Sequence, residues 1–207
     1  MIEHSGLPFV PASERNRQPI LDALRPRLPA GGTLLEIGAG TGQHAVFMAP
    51  RVHPLNWLPT DRPEVLPSLV LRVHAEPSPN LLPPIALDVC TGPWPAGPFS
   101  AAYAANIAHI MPWSALLATL DGLDRCLPPG ARFHLYGPFR VAGQFTSAGN
   151  RAFDRSLRAR DPAMGLRDLE ALESAAADHH FLLDECIEMP ANNLLLALRR
   201  TGSGDEA

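Results

Sequence analysis

The run Leu34-Leu35-Glu36-Ile37-Gly38-Ala39-Gly40-Thr41-Gly42-Gln43-His44 carries more structural information than any other part of the 207-residue chain. A short apolar segment holds one acid near its end, turns through glycines spaced Gly-x-Gly-x-Gly, and leads into a helical pattern. An apolar strand, a glycine turn and a helix are how α/β folds bring backbone up to a nucleotide. Gly38 and Gly40 permit positive φ and leave room where a Cβ would meet a ligand. Glu36, near the strand's end, is placed to accept hydrogen bonds from that ligand. The dinucleotide fingerprint needs its third glycine at position 43, where this chain has Gln43. A pyrophosphate site therefore fits less well than a cofactor carrying adenosine and an amino acid.

Outward from this run, strand-length apolar segments alternate with helical patterns. That alternation predicts one α/β domain over 1–207, with a mostly parallel sheet and helices on both faces. The expected strands are Thr33–Ile37, Asn56–Thr60, Ile85–Asp88, Phe99–Ala105, Arg132–Tyr136, Phe181–Glu188 and Asn192–Arg199. The last two, joined by a short turn with Pro190, are expected to form an antiparallel hairpin. Helices are expected over Arg15–Leu28, Gly42–Ala49, Pro63–His74, the Leu116–Leu127 stripe, Asn150–Arg160 and Leu166–Asp178. Cys90–Pro98 and Gly137–Asn150 read as loops. Residues 1–12 read as a loose lead-in and 201–207 as a flexible tail.

Composition narrows the function. A formal net charge of −4 gives no general attraction to nucleic acid or to anionic membrane. All 17 basic residues are arginine, so Schiff-base lysine chemistry and a P-loop lysine are excluded. Cys90, Cys126 and Cys186 are widely spaced and include no Cys-x-x-Cys, so neither a zinc knuckle nor a disulfide framework is indicated and no metal is expected. A reducing cytoplasm is the expected setting. No signal peptide is evident, and no uncharged apolar run approaches the roughly 18 residues of a membrane span.

In an open parallel sheet, ligands bind beyond the carboxyl ends of the strands. Those ends here carry Glu36, Asp61, Asp88, Asn106 and Tyr136. Asp61 follows Glu36 at nearly the spacing at which an acid meets ribose hydroxyls; the alternative is a helix cap, since Pro63 follows. Asp88 could instead open a turn. His109 has a residue type suited to proton removal, or could order the loop at Pro112-Trp113. Tyr136 could line a pocket or pack in the core. His44 could act as a helix cap or backbone partner. Ser13 and Asn16 could form a capping box. Arg151, Arg155 and Arg158 share a helical face, with Asp154 able to pair with Arg158. Asn192-Asn193 opens the last strand, where asparagine is unfavourable unless it hydrogen-bonds.

The glycine run resembles motif I of class I S-adenosylmethionine-dependent methyltransferases. A closer resemblance spans nearly the whole chain. Ser13-Glu14-Arg15-Asn16-Arg17-Gln18-Pro19-Ile20, the glycine loop, Asn106-Ile107-Ala108-His109-Ile110-x-Pro112-Trp113, Tyr136-Gly137-Pro138-Phe139 and Met189-Pro190-Ala191-Asn192-Asn193 resemble the DUF938 family. This resemblance implies a Rossmann-like seven-stranded methyltransferase fold. It implies S-adenosylmethionine as cofactor and S-adenosylhomocysteine as product, with no established acceptor. It places the amino-acid end of the cofactor at Glu36 and the turn Gly38, Ala39, Gly40, Thr41, Gly42, with His44 nearby. It places adenine at Asp88 and Val89 and ribose at Asp61. It makes Glu14, Arg15 and Asn16 a lid, and brings donor and acceptor together at Asn106, His109 and Tyr136. The acceptor is expected to be a small molecule, with nucleic acid or protein left open, as is the oligomeric state. Two other readings are a cofactor-binding protein without turnover and a nicotinamide oxidoreductase.

Overall fold

The inner strand β1 (Thr33–Ile37) has side chains that alternate between two cores. Leu34 packs on one face, with Leu35 and Ile37 on the other, all buried. A strand buried on both faces is found in the middle of a parallel sheet. The computed structural model describes residues 6–202. Here β1 pairs in parallel with β2 (Asn56–Asp61) and with β4 (Ala101–Ala105).

Four more strands complete the sheet: β3 (Ile85–Ala86), β5 (Arg132–Gly137), β9 (Phe181–Met189) and β10 (Asn193–Arg200). The seven lie in the order β3-β2-β1-β4-β5-β10-β9. Only β10 runs against the rest, pairing antiparallel with both β5 and β9. Chain order reverses between β1 and β4, which opens a crevice beyond their carboxyl ends.

On one face lie α1 (Pro11–Leu24), α2 (Gln43–Met48) and α3 (Leu66–Ala75), which contribute Ile20, Leu24, Ala45, Leu69 and Val73 to that core. On the other lie α4 (Trp113–Cys126) and α6 (Leu169–Asp178), through Leu116, Leu120, Leu123 and Leu172. Between them in sequence come β6 (Phe139–Val141), β7 (Gln144–Phe145), α5 (Ala148–Arg160) and β8 (Arg167–Asp168). No helix among the described residues is long and apolar enough to cross a membrane.

The sequence-based boundaries need four corrections. The first helix starts at Pro11, not Arg15, because proline is suited to a first turn where no N–H is needed. It carries Pro19 internally, held by the packing of Ile20, Leu21 and Leu24, and ends at Leu24, ahead of Pro26. The third helix starts at Leu66, after a turn through Pro63. Gly137–Asn150 is not a loop: β6 and β7 form a hairpin whose two connecting residues, Ala142 and Gly143, have φ of 48° and 72°, the positive values a tight hairpin turn requires. The last helix starts at Leu169, not Leu166, because Arg167 and Asp168 pair with β6 as β8.

Candidate active site

The glycine turn after β1 separates two lobes of the crevice. Gly38 has φ +69°, and a Cβ there would lie 2.6 Å from Ile107 Cγ2, so only glycine lets the loop after β4 come this close. Gly40 has φ +58° and nothing within 4 Å of a built Cβ, so it faces open space. One lobe, about 570 Å³, is lined by Asp61, Leu87, Asp88, Val89 and Met111. The other, about 600 Å³, is lined by Arg15, Glu36, Gln43, Asn106, His109 and Tyr136. Gly38, Gly40, Ile107 and Ile110 border both.

In the first lobe, Asp61 accepts from the Gly40 N–H at 2.6 Å and from the Arg62 N–H at 2.7 Å, which ties the end of β2 to the glycine turn. Asp61 caps no helix, since the residue before α3 is Val65 and makes no side-chain cap bond. Asp88 does open a turn: its Oδ1 accepts from the N–H groups of Cys90 at 2.9 Å and Thr91 at 3.3 Å. The Cys90 N–H, more than any other group, holds this carboxyl below its ordinary range.

In the second lobe, Glu36 points to the helical face shared with Leu34, flanked in register by Pro59 and Tyr103. It is 2 % exposed and accepts from Trp57 Nε1 at 2.7 Å. Burial pushes its carboxyl up to about 8, with the nearby Asp61 charge adding to the effect and the Trp57 bond opposing it.

Beside Glu36 runs a chain of polar groups. His44 Nε2 meets Asn16 Oδ1 at 2.8 Å, and His44 Nδ1 meets the Tyr103 hydroxyl at 3.2 Å. Asn16 also hydrogen-bonds Tyr136. His44 therefore links α1 to β4 across α2 and does not cap the helix. Burial lowers its pKa to about 4, so the ring is neutral at physiological pH.

The far wall comes from the loop after β4. Asn106 has φ 61°, a conformation asparagine tolerates better than most residues, and its N–H is held by Tyr136 O at 2.8 Å. His109 is 5 % exposed and packs edge-on against Phe153, with centroids 5.2 Å apart. Burial, with a smaller contribution from Arg167, lowers its pKa to about 4. Its main chain is clamped: Gly165 N–H donates to His109 O at 2.9 Å, and the Arg167 guanidinium donates to Ala108 O at 2.9 Å and to Met111 O. Asn150, Phe153, Ala191 and Asn193 complete the wall. Asn150 donates to Asn192 O at 3.1 Å, and Asn193 to Pro190 O at 2.9 Å, so the turn before β10 is hydrogen-bonded.

Most sequence-chosen residues border the crevice. Glu36, Gly38, Ala39, Gly40, Thr41, His44, Asn106, His109, Tyr136, Arg15 and Asn16 line one lobe, and Asp61, Asp88 and Val89 the other. Glu14 does not: it pairs with Arg17 at i,i+3, on a different side of α1 from Arg15 and Asn16. Gly42 is buried under the turn as the residue before α2. The turn amides expected to hold a ligand are largely engaged already. Ala39 N–H donates to Thr60 O, Gly40 N–H to Asp61 and Gly42 N–H to Ala39 O. Arg158 pairs with Asp154 at 2.9 Å, as its spacing suggested. Sequence reading missed Trp57, Tyr103, Gln43, Phe153 and Arg167. Gln43 ends the glycine run, where only its failure to match the dinucleotide fingerprint was legible; the other four lie in no motif, and each acts across strands or loops distant in sequence.

A parallel sheet with one reversed strand, a glycine turn after β1 and acids at the ends of β1 and β2 and just beyond β3 define the class I S-adenosylmethionine-dependent methyltransferase fold. Solved structures agree. Human N-acetylserotonin methyltransferase in complex with S-adenosylmethionine superposes with a TM-score of 0.76 at 14 % identity, covering 92 % of this chain and 53 % of that one.

 An O-methyltransferase family 2 protein from Planctomyces limnophilus, in complex with apigenin, gives 0.76 at 17 % identity over 92 % of this chain and 60 % of that one. CalO1, a methyltransferase in calicheamicin biosynthesis with S-adenosylhomocysteine bound, gives 0.74 at 16 % identity over 92 % and 54 %. The chain thus spans little more than half the length of these structures, and the likeness is one of fold. The chain itself belongs to the DUF938 family, described as a protein of unknown function, whose model matches residues 7–200.

Proposed function

We propose that this protein is an S-adenosylmethionine-dependent methyltransferase acting on a small, uncharged acceptor that carries an O–H or N–H group. The observation that carries this reading is the division of charge across the crevice. Asp61 and Asp88 lie in the lobe suited to a nucleoside. The wall around His109 offers neutral groups: Asn106, Asn150, Asn193, Tyr136 and Phe153. An anionic acceptor would find only Arg15 as a cationic partner among the described lining residues of that lobe.

The residues present fit the cofactor. Gly40 leaves open space, and Gln43 presents a buried amide nitrogen without a partner. Asp61 would hold ribose hydroxyls, Asp88 and Val89 the adenine, and Glu36 and Arg15 the amino-acid end. Bound S-adenosylmethionine supplies an electrophilic sulfonium methyl group. Ile107 and Ile110 give an apolar lining where the lobes meet. His109, neutral above about pH 4, would accept the hydrogen bond of the acceptor's O–H or N–H and orient it. Such an imidazole is a weak base, so positioning carries more of the rate than proton removal.

The test is calorimetry with S-adenosylhomocysteine, followed by transfer of labelled methyl from the donor to metabolite, nucleic-acid and protein fractions of a cell extract. Binding with label in the metabolite fraction is expected; absence of binding refutes the proposal. His109→Ala should lower kcat roughly 10-fold or more while leaving the Kd of S-adenosylhomocysteine unchanged. A second reading, cofactor binding without turnover, is favoured by the low basicity of His109 and predicts binding with no labelled fraction.

A further inference from the structure

Gln43 is 3 % exposed, and its side-chain oxygen is fully used: it accepts from the Val10 N–H at 2.6 Å and from the Thr41 hydroxyl at 2.9 Å. The Val10 N–H can only donate, so the amide cannot be turned round and its nitrogen must face the other way. That nitrogen, Nε2, is buried with no hydrogen-bond partner, and Gln43 lines the second lobe. A buried donor left unpaired is costly, and buried polar groups nearly always find partners. The structure therefore holds a donor waiting for an acceptor.

We infer that Gln43 Nε2 donates to the carboxylate of the cofactor's amino-acid end, with Arg15 as its charged companion. This rests on the cofactor reading above. Three observations select that group. The N–H groups of Ala39, Gly40 and Gly42 are engaged within the protein, so the turn has few amides to offer an anion. Arg15 lines the same lobe and has no ion pair among the described residues. The acids Asp61 and Asp88 lie in the other lobe, which directs the nucleoside there and the amino-acid end toward Gln43. Because Gln43 Oε1 also holds Val10, just before α1, the same side chain joins the cofactor site to the segment that enters the first helix.

The experiment compares two ligands on Gln43→Glu. S-adenosylhomocysteine has the amino-acid carboxylate; 5′-methylthioadenosine lacks it. The glutamate keeps an oxygen for the Val10 N–H but loses the donor. The expected result is a roughly 10- to 100-fold weaker Kd for S-adenosylhomocysteine, with 5′-methylthioadenosine unchanged. Equal weakening of both ligands, or no change in either, overturns the inference. If Gln43→Glu does not fold, as judged by thermal unfolding, Gln43→Met is read against the same two outcomes. Wild-type protein that binds neither ligand refutes the cofactor reading itself, and the inference with it.

Discussion

Glu36→Gln isolates the consequence of burying a carboxyl between Trp57 and Tyr103. The folded protein holds this group's proton up to about pH 8, whereas the ordinary value is 4.5. Between those limits the unfolded chain releases the proton and the folded chain keeps it. Folding stability from this group is therefore fully present below pH 4.5 and is lost as pH rises toward 8. Each pH unit in that window is worth about 1.4 kcal/mol. Glutamine carries no charge in either state and can still accept from Trp57 Nε1. The variant should therefore be more stable than wild type by between about 1 and 2 kcal/mol at pH 5.5, and by roughly 4 kcal/mol at pH 8. Urea unfolding of both proteins at the two pH values measures this. In a chain of this size the pH 8 difference corresponds to a rise in Tm of roughly 8–15 °C. An advantage of the same size at both pH values would refute the reasoning, because a pH-independent gain cannot come from a titrating carboxyl.

Three further outcomes are expected. His134 is fully buried with neither ring nitrogen partnered, and burial lowers its pKa to about 4; its stability contribution is lost as pH falls from 6.5 toward 4, so urea unfolding of His134→Leu should show a shallower loss across that window, and an unchanged slope would count against it. Asp61→Ala should weaken S-adenosylhomocysteine binding by roughly 1.5–3 kcal/mol in calorimetry, since a charged hydrogen-bond acceptor is lost, and unchanged affinity removes Asp61 from the site. Arg167→Met frees the carbonyls on either side of His109; steady-state kinetics should show kcat down roughly 10- to 100-fold with product Kd intact, and a matching fall in affinity would mean the whole crevice had been disturbed.

The sequence made the sheet legible because strands buried on both faces read as continuous apolar runs, and because glycine and proline punctuate them. Leu34 to Gly42 located the crevice, and counting outward to the strand ends located Asp61, Asp88 and Asn106. What stayed hidden depends on register. Trp57 reaches Glu36 only because β2 lies beside β1 with Leu34 opposite Trp57. Tyr103 reaches His44 only because β4 lies on the other side. The β6–β7 hairpin was hidden for a local reason: Ala142 takes a positive φ that its residue type does not announce. Arg167 carries no motif, and its target loop lies 56–59 residues away.

Charge state was the least legible property of all, and it bears most on function. Glu36 and Asp88 look alike in sequence, as single acids near strand ends. The Cys90 N–H draws the Asp88 carboxyl down, and burial drives the Glu36 carboxyl up to about 8. One carboxyl meets backbone donors and the other meets aromatic rings, and environment alone sets them apart. A ligand group carrying positive charge near Glu36 would favour its ionised form and lower that pKa. Binding of such a group at pH 7 should therefore release protons, in an amount calorimetry reads from the dependence of the heat on buffer ionisation enthalpy. Glu36→Gln should abolish that release. Release that persists in the variant would place the titrating group elsewhere and separate Glu36 from the bound amino-acid end.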